Sequence, residues 1–206
     1  MAQTRPPSDG RVARLRREAA PMLLLLALML LARTSFANHY VVPSGSMQPT
    51  LEPGDRVVVD MTAYGLRLPF TDIALLGRGT PRGGEVAVFK SPLDGTRLIK
   101  RVVAVGGDEV SLRDGLLAVN GVRLADPVVP AVERFDGRLA RLDLADGGGP
   151  DIPWLQVPPG KLLVLGDHRG DSADGRVFGL VDADAVYARA LGVYWRRGEG
   201  PVWKPL

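Results

Sequence analysis

The sequence predicts a mostly β protein: an antiparallel β-sheet core with a small inserted region, preceded by an N-terminal transmembrane helix. Three observations carry this expectation. Glycine (25) and proline (17) are abundant among the 206 residues, which favours a turn-rich sheet over a helix bundle. Short runs rich in β-branched residues alternate with turn residues from Asp55 onwards. A single uninterrupted apolar run, Ala20–Ala32 (APMLLLLALMLLA), lies near the amino terminus. Hydrophobic residues make up 46% of the chain, enough for a real core and too many for general disorder.

The apolar run comes first. As a helix, Ala20–Ala32 covers only about 20 Å of a hydrocarbon layer about 30 Å thick. Extension from Ala19 to Ala37 gives roughly 28 Å and requires Arg33 to reach its guanidinium back to the interface. Arg5, Arg11, Arg14, Arg16 and Arg17 precede the run, against Asp9 and Glu18, so the amino terminus stays cytoplasmic and the chain after Asn38 crosses the membrane. The expected organisation is a basic cytoplasmic tail over 1–18, a single-pass signal anchor over 19–37 and an extracytoplasmic domain over 38–206. Ser35-Phe36-Ala37 has the small-x-small form of a signal cleavage site, so removal of the segment is the alternative, with the same direction of crossing. A leucine run apolar all round has no face to show water, which argues against a soluble helix.

Strands follow. Asp55–Asp60, Glu85–Phe89, Arg97–Val105 and Lys161–Leu165 are predicted strands, and Val186–Trp195 returns as the last. Glu109–Arg113 and Leu116–Val119 flank Asp114-Gly115, a two-residue hairpin signal, and Asn120-Gly121 gives a second turn. Two stretches read as excursions. Met61–Gly84 is loop-rich and contains Leu66-Arg67-Leu68-Pro69-Phe70. The segment 122–159, with Gly147-Gly148-Gly149-Pro150 and many prolines, reads as a loop-rich insertion.

Composition removes several function classes. The formal charge is +3, and much of the surplus sits in front of the apolar run, so a basic nucleic-acid face is a poor reading. Cysteine is absent, which excludes disulfides, thiolate catalysis and cysteine-based zinc sites. Two distant histidines and scattered carboxylates show no metal-ligand spacing, so no metal is expected.

Three segments hold the chemistry. Pro43-Ser44-Gly45-Ser46-Met47-Gln48-Pro49-Thr50-Leu51 follows the apolar run closely. It reads either as a polar juxtamembrane turn or as a serine nucleophile on a tight turn, with Ser44 offering a second hydroxyl nearby. A serine hydroxyl needs a base. Only His39 and His168 could make a serine–histidine pair, and the residues beside His168 do not supply an evident triad. Lysine is the other base. In Leu98-Ile99-Lys100-Arg101-Val102-Val103 adjacent side chains point opposite ways, so if one of Lys100 and Arg101 faces inward the other faces out. An ordinary lysine at pH 7 is neutral about once in 2,500, and burial makes the neutral amine common. The third segment, Gly166–Arg176 (GDHRGDSADGR), is a charged glycine-rich loop whose acidic spacing does not match an EF-hand. Ser172 could hydrogen-bond an amine there, and Asp174 and Arg176 could pair.

Together, in this order and after an apolar anchor, these segments resemble the type I signal peptidases, from Tyr40 to Trp195 and more loosely over 122–159. The resemblance implies a mostly β catalytic domain and no cofactor. It implies a serine endopeptidase in which Ser46 is the nucleophile and Lys100 the general base. Ser44 and the Ser46 N–H would form the oxyanion hole, and Ser172 would orient the lysine. Arg101, Asp167, Arg169, Asp174 and Arg176 would support the site. Val42, Met47, Leu51, Leu98 and Ile99 would line an apolar substrate groove. The implied partners are the signal peptides of exported preproteins, cut after small-x-small sites, and membrane lipid; Trp195 or Trp203, by residue type and lateness in the chain, would contact the lipid. The implied location is a bacterial cytoplasmic membrane with the catalytic domain outside. Two positions depart from the family's pattern: His168 stands where asparagine is frequent, and Gly175 where serine is common. A specialised pilin or conjugation maturation peptidase, a self-cleaving Ser–Lys protease and an inactive membrane-tethered β binding module are the competing readings.

Overall fold

The computed structural model describes residues 17–26, 37–65, 79–129 and 131–206. Residues 17–26 are helical, and Met22 to Leu26 lie exposed on that helix. The remainder of the expected span, and the Leu66–Phe70 run, fall outside the described residues. Among the described residues no helix is long and apolar enough to cross a membrane.

From Ala37 onwards the chain is antiparallel sheet. The strands are β1 (Ala37–Val41), β2 (Arg56–Asp60), β3 (Val86–Lys90), β4 (Arg97–Val105), β5 (Glu109–Arg113), β6 (Leu116–Val119), β7 (Val122–Arg123), β8 (Val132–Phe135), β9 (Arg138–Arg141), β10 (Ile152–Gln156), β11 (Lys161–Leu165), β12 (Val181–Asp182), β13 (Val186–Arg196) and β14 (Gly200–Pro205). The main sheet runs β1-β2-β13-β3-β4-β11-β12, and β14 pairs with β13. A second sheet runs β10-β5-β6-β7, and β8 and β9 form a hairpin. The strands expected from β-branched runs are present: β2 and β5 alternate buried with more exposed residues, whereas β3, β4 and β11 are near-continuous buried runs in the middle of the main sheet. Asp114 and Gly115, like Asn120 and Gly121, have positive φ, the geometry such two-residue turns require.

The segment 122–159 keeps its turns and loops and holds, between them, β7, the β8–β9 hairpin and β10, which pairs with β5. Its prolines and glycines punctuate short strands instead of dissolving them. Ala37, the residue expected to end the span, opens β1, which pairs with β2 from Ala37↔Asp60 to Val41↔Arg56.

Apolar residues fall into three buried clusters. One joins Val42, Met47 and Leu51 to Val57, Val88 and Val193. A second gathers Ala87, Phe89, Val102 and Val164, and a third joins Val103, Ala104 and Leu163 to Val110, Leu112 and Leu117 of the second sheet. The strand β4 takes part in more than one cluster because it carries a bulge. Leu163 faces Ala104 and Val164 faces Val102, which leaves Val103 as an extra residue. The bulge resets the alternation, so the half before it builds the site while the half after it packs on the second sheet.

Candidate active site

The turn after β1 is held by its own apolar residues. Gln48 N–H donates to the Gly45 carbonyl at 2.8 Å and Leu51 N–H to the Met47 carbonyl at 2.9 Å. That helical spacing points Met47 and Leu51 the same way, and both are completely buried. The base of the turn is closed where Val42 N–H meets the Asp55 carbonyl at 2.9 Å and Gly54 N–H meets the Val42 carbonyl at 2.8 Å. The buried Asp55 carboxylate accepts from Arg196 Nη2 at 2.6 Å. With the neighbouring Met47 fixed in the core, Ser46 is held half-buried at the top of the turn.

Lys100 arrives from β4. Its Nζ donates to Ser46 Oγ at 2.6 Å and to Ser172 Oγ at 3.0 Å. Lys100 is 3% exposed, and among the described residues its hydrogen-bond partners are hydroxyls, with no carboxylate in salt-bridge contact. Burial lowers its pKa to about 8, against the weaker opposing pull of Asp174 and Asp167. Ser44 Oγ lies 3.4 Å from Ser46 Oγ, on the exposed side of the turn. Among the described residues, Ser46 N–H donates to no backbone carbonyl.

The loop after β11 completes the cluster. Leu165 pairs with Arg101 across the β4–β11 ladder, which delivers Gly166 and Asp167 beside the lysine. The Ser46 carbonyl accepts from His168 N–H at 3.2 Å, fastening the turn to the loop. A Cβ at Gly166 would overlap Ser172 Oγ and the Ser46 carbonyl oxygen, so only glycine permits this approach. Asp174 caps the short helix Gly175–Phe178, accepts from Gly166 N–H at 2.9 Å and pairs with Arg176 at 2.8 Å. Burial alone would raise the Asp174 pKa; the bonds from Arg176, Gly166 and Ser172 hold it below the usual range instead. Arg176 also donates to the Gly148 and Arg169 carbonyls, both at 2.7 Å.

Arg101 points away from Lys100, as strand alternation requires. Its Nε and Nη2 grip Asp167 at 2.8 and 2.6 Å, and its Nη1 donates to the Gly84 carbonyl at 2.7 Å. Burial works against the Arg101 charge, but the charge and hydrogen bonds of Asp167, with the more distant Glu133, outweigh it and raise the Arg101 pKa. Arg169 is buried against Glu133, with Nη2 to Oε2 at 2.6 Å. Glu133 lies in β8, and its Oε1 also accepts from Leu117 N–H at 3.1 Å. Sequence reasoning missed this partner. The alternation in Val132–Phe135 was the only signal for an inward Glu133. It missed as well that His168 Nε2 meets Asp146 at 2.9 Å while Nδ1 is buried without a partner among the described residues.

Beside the pair lies a groove of about 230 Å³, lined by Tyr40, Val42, Val57, Val88, Leu98 and Ile99 among others. Val42, Leu98 and Ile99 are therefore at its surface. Met47 and Leu51 are not at its surface; they lie in the core, because the turn needs them as anchors. Among the described residues no cluster of carboxylates and histidines could hold a metal ion.

A hydroxyl set against a buried amine, with a free N–H and a second hydroxyl beside it, is a layout suited to acyl transfer on a β scaffold. Residues 15–195 match the family model described as signal peptidase, peptidase S26, and the chain belongs to that peptidase family. A signal peptidase I of Pseudomonas fluorescens is 31% identical over 196 residues, which cover 82% of this chain and 69% of the relative. One from Pseudomonas aeruginosa is 33% identical over 168 residues, 74% of this chain and 59% of the relative. One from Mycobacterium tuberculosis strain H37Rv is 34% identical over 202 residues, 85% of this chain and 67% of the relative. Among solved structures, a signal peptidase I from Enterococcus faecalis V583 is 27% identical with a TM-score of 0.40, covering 60% of this chain and 97% of that one.

Proposed function

We propose that this chain is a membrane-anchored serine endopeptidase that removes signal peptides from exported preproteins at small-x-small sites. The observation that carries the proposal is the 2.6 Å contact between Ser46 Oγ and a buried Lys100 amine that has no carboxylate partner among the described residues. With a pKa of about 8, roughly one Lys100 in ten is neutral at pH 7. The neutral Nζ takes the proton from Ser46 as Oγ attacks the scissile carbonyl carbon. The oxyanion is met by the Ser46 N–H and the Ser44 hydroxyl. The lysine ammonium then gives its proton to the leaving amine, which departs and leaves an ester on Ser46. Lys100 next deprotonates a water that attacks the ester, releasing the new carboxyl terminus and regenerating Ser46. Ser172 holds Nζ on this path, and Asp174 with Arg176 fixes the loop that carries Ser172.

The groove accounts for specificity. Its walls are mostly apolar, and among the described residues the half of β4 from Leu98 to Lys100 has no strand partner on the side away from β3. An extended peptide could pair there with small side chains turned into the groove. The basic segment and apolar run at the amino terminus would tether the domain with its site facing the outer surface. Exposed Trp195 and Trp203 suit contact with lipid headgroups.

The test is cleavage of a peptide containing an Ala-x-Ala site. Ser46→Ala and Lys100→Met should each reduce kcat to background, with the double variant no worse, because the two groups act as a unit. The wild-type rate should climb with pH to a plateau above about 8 as the amine loses its proton. Full activity in either single variant would refute the assignment.

A further inference from the structure

His168 is buried at the site, and the mechanism gives its imidazole no task. Its main chain is held from both edges. Asp143 N–H donates to the Asp167 carbonyl at 2.9 Å and Arg169 N–H to the Asp143 carbonyl at 3.0 Å, a parallel bridge that pairs Asp143 with His168. Successive amides of an extended chain point to opposite sides, so His168 N–H faces away from Asp143 and donates to the Ser46 carbonyl at 3.2 Å. The segment 143–149 therefore backs the loop on one side while the nucleophile turn lies on the other. Arg176 Nη1 donates to the Gly148 carbonyl at 2.7 Å, and a Cβ at Gly170 would overlap the Asp146 carbonyl oxygen, so the segment is seated closely. The imidazole adds a link at the level of Ser46 itself, with Nε2 at 2.9 Å from Asp146 Oδ2. A carboxylate only accepts, so Nε2 carries a proton. Nδ1 is buried and has no partner among the described residues, and neither ring nitrogen hydrogen-bonds Ser46 Oγ. The imidazole is thus placed as a strut, not as a base.

We infer that His168 is a positioning residue for the nucleophile: its imidazole, tied to Asp146, sets where residue 168 sits, and its main-chain N–H passes that position to the Ser46 carbonyl. This role rests on the proposed function of Ser46. The carbonyl and the side chain of Ser46 branch from one Cα. With the carbonyl fixed by His168 and Oγ fixed by Lys100, the residue cannot swing as the substrate arrives. A misplacement of about 1 Å can cost about a hundredfold in rate, so a strut whose loss lets the turn drift by part of that distance is worth about tenfold. The effect falls on kcat. Neither His168 nor any residue of 143–149 lines the apolar groove, so binding of the peptide is left alone.

The experiment uses the full chain in detergent micelles and the Ala-x-Ala peptide, with kcat and KM measured separately and kcat referred to the folded fraction from denaturant melts. Asp146 is the first residue to change, because its side chain is 66% exposed and its truncation disturbs no core. Asp146→Ala should lower kcat about fivefold and His168→Ala about tenfold, each with KM within about twofold of the wild type. The double variant should be no worse than His168→Ala, because both changes break one link. Glutamine places an amide N–H near the position of Nε2 and has no counterpart of the orphaned Nδ1, so His168→Gln should recover most of the lost kcat. A residue that only helps the loop to fold would shift the melts and leave kcat per folded molecule unchanged. A kcat within about twofold of the wild type in Asp146→Ala, a loss carried by KM, or a His168→Gln variant no better than His168→Ala overturns the inference and leaves the proposed function intact. Should His168→Ala not fold, the kcat of Asp146→Ala decides alone by the same limits. Failure of the wild type to cut the peptide defeats the proposed function, and this inference with it.

Discussion

Lys100 and Arg101 are neighbours on one strand, both buried, both cationic by nature, and their surroundings treat them oppositely. Arg101 is gripped by Asp167 at 2.6 Å with both side chains almost wholly buried, and its charge is favoured. Among the described residues Lys100 hydrogen-bonds only the hydroxyls of Ser46 and Ser172, and its charge is disfavoured, with a pKa of about 8. Burial is common to the two, so burial alone decides nothing. What separates a structural cation from a candidate base is whether a carboxylate was folded in beside it.

The largest expected effect tests whether residue 100 must be able to lose its proton. Lys100→Arg keeps the charge and most of the reach, but a guanidinium is never neutral in a protein. We expect kcat to fall by about 10⁴-fold or more at every pH up to 10, measured on the Ala-x-Ala peptide. Activity that returns at high pH would erase the distinction between the two neighbours.

Next in size is stability on the Arg101 side. Arg101→Met strands the Asp167 carboxylate in a buried site, so denaturant melts should show a loss of about 3–5 kcal/mol. A loss below about 1 kcal/mol would mean that this ion pair is structurally idle.

Lys100→Met should act in the opposite direction. The folded pKa of about 8 lies below the ordinary 10.5, so the fold pays to hold the charge below pH 8 and ceases to pay above about 10.5. Removing the amine should therefore leave the protein more stable at pH 7, by up to about 3 kcal/mol, with the gain shrinking between pH 8 and 10.5. Melts at pH 7 and pH 10.5 decide it: a clear loss at pH 7 would place Lys100 with Arg101 as a paired cation.

The smallest effect concerns the hydroxyl that replaces a carboxylate beside Lys100. Ser172→Ala should lower kcat by about tenfold to a hundredfold with little change in KM, by letting Nζ wander from Ser46. An equal loss from KM would indicate a role in binding instead.

Much of this was legible in the residues. Arg97–Val105 announced a strand by its β-branched run, and alternation alone required Lys100 and Arg101 to face opposite ways. Asp114-Gly115 and Asn120-Gly121 announced turns because few other pairs tolerate positive φ. The strands β1, β10 and β14 were not legible. Ala37–Val41, Ile152–Gln156 and Gly200–Pro205 carry polar residues, prolines or glycines, and owe their conformation to partners distant in sequence. The site divided in the same way. Ser46, Lys100 and Ser172 could be picked out by chemistry and family resemblance, and the structure brings them together. The inward turn of Met47 and Leu51 depended on a local hydrogen-bond pattern that strand-like reasoning could not supply. Glu133 was hidden because its role exists only once β8 packs beneath the loop carrying Arg169.

The bulge at Val103 turns cleavage into a gauge of folding accuracy. Adjacent residues on β4 present opposite faces, so a ladder displaced by one residue would exchange their places. A permanently charged arginine would then confront Ser46, and a lysine would confront Asp167. Such a chain would keep its sheet, its compactness and much of its secondary-structure signal, yet would be catalytically silent. Active-site titration of a refolded sample should consequently count correctly registered molecules, a population that circular dichroism cannot separate from misregistered ones.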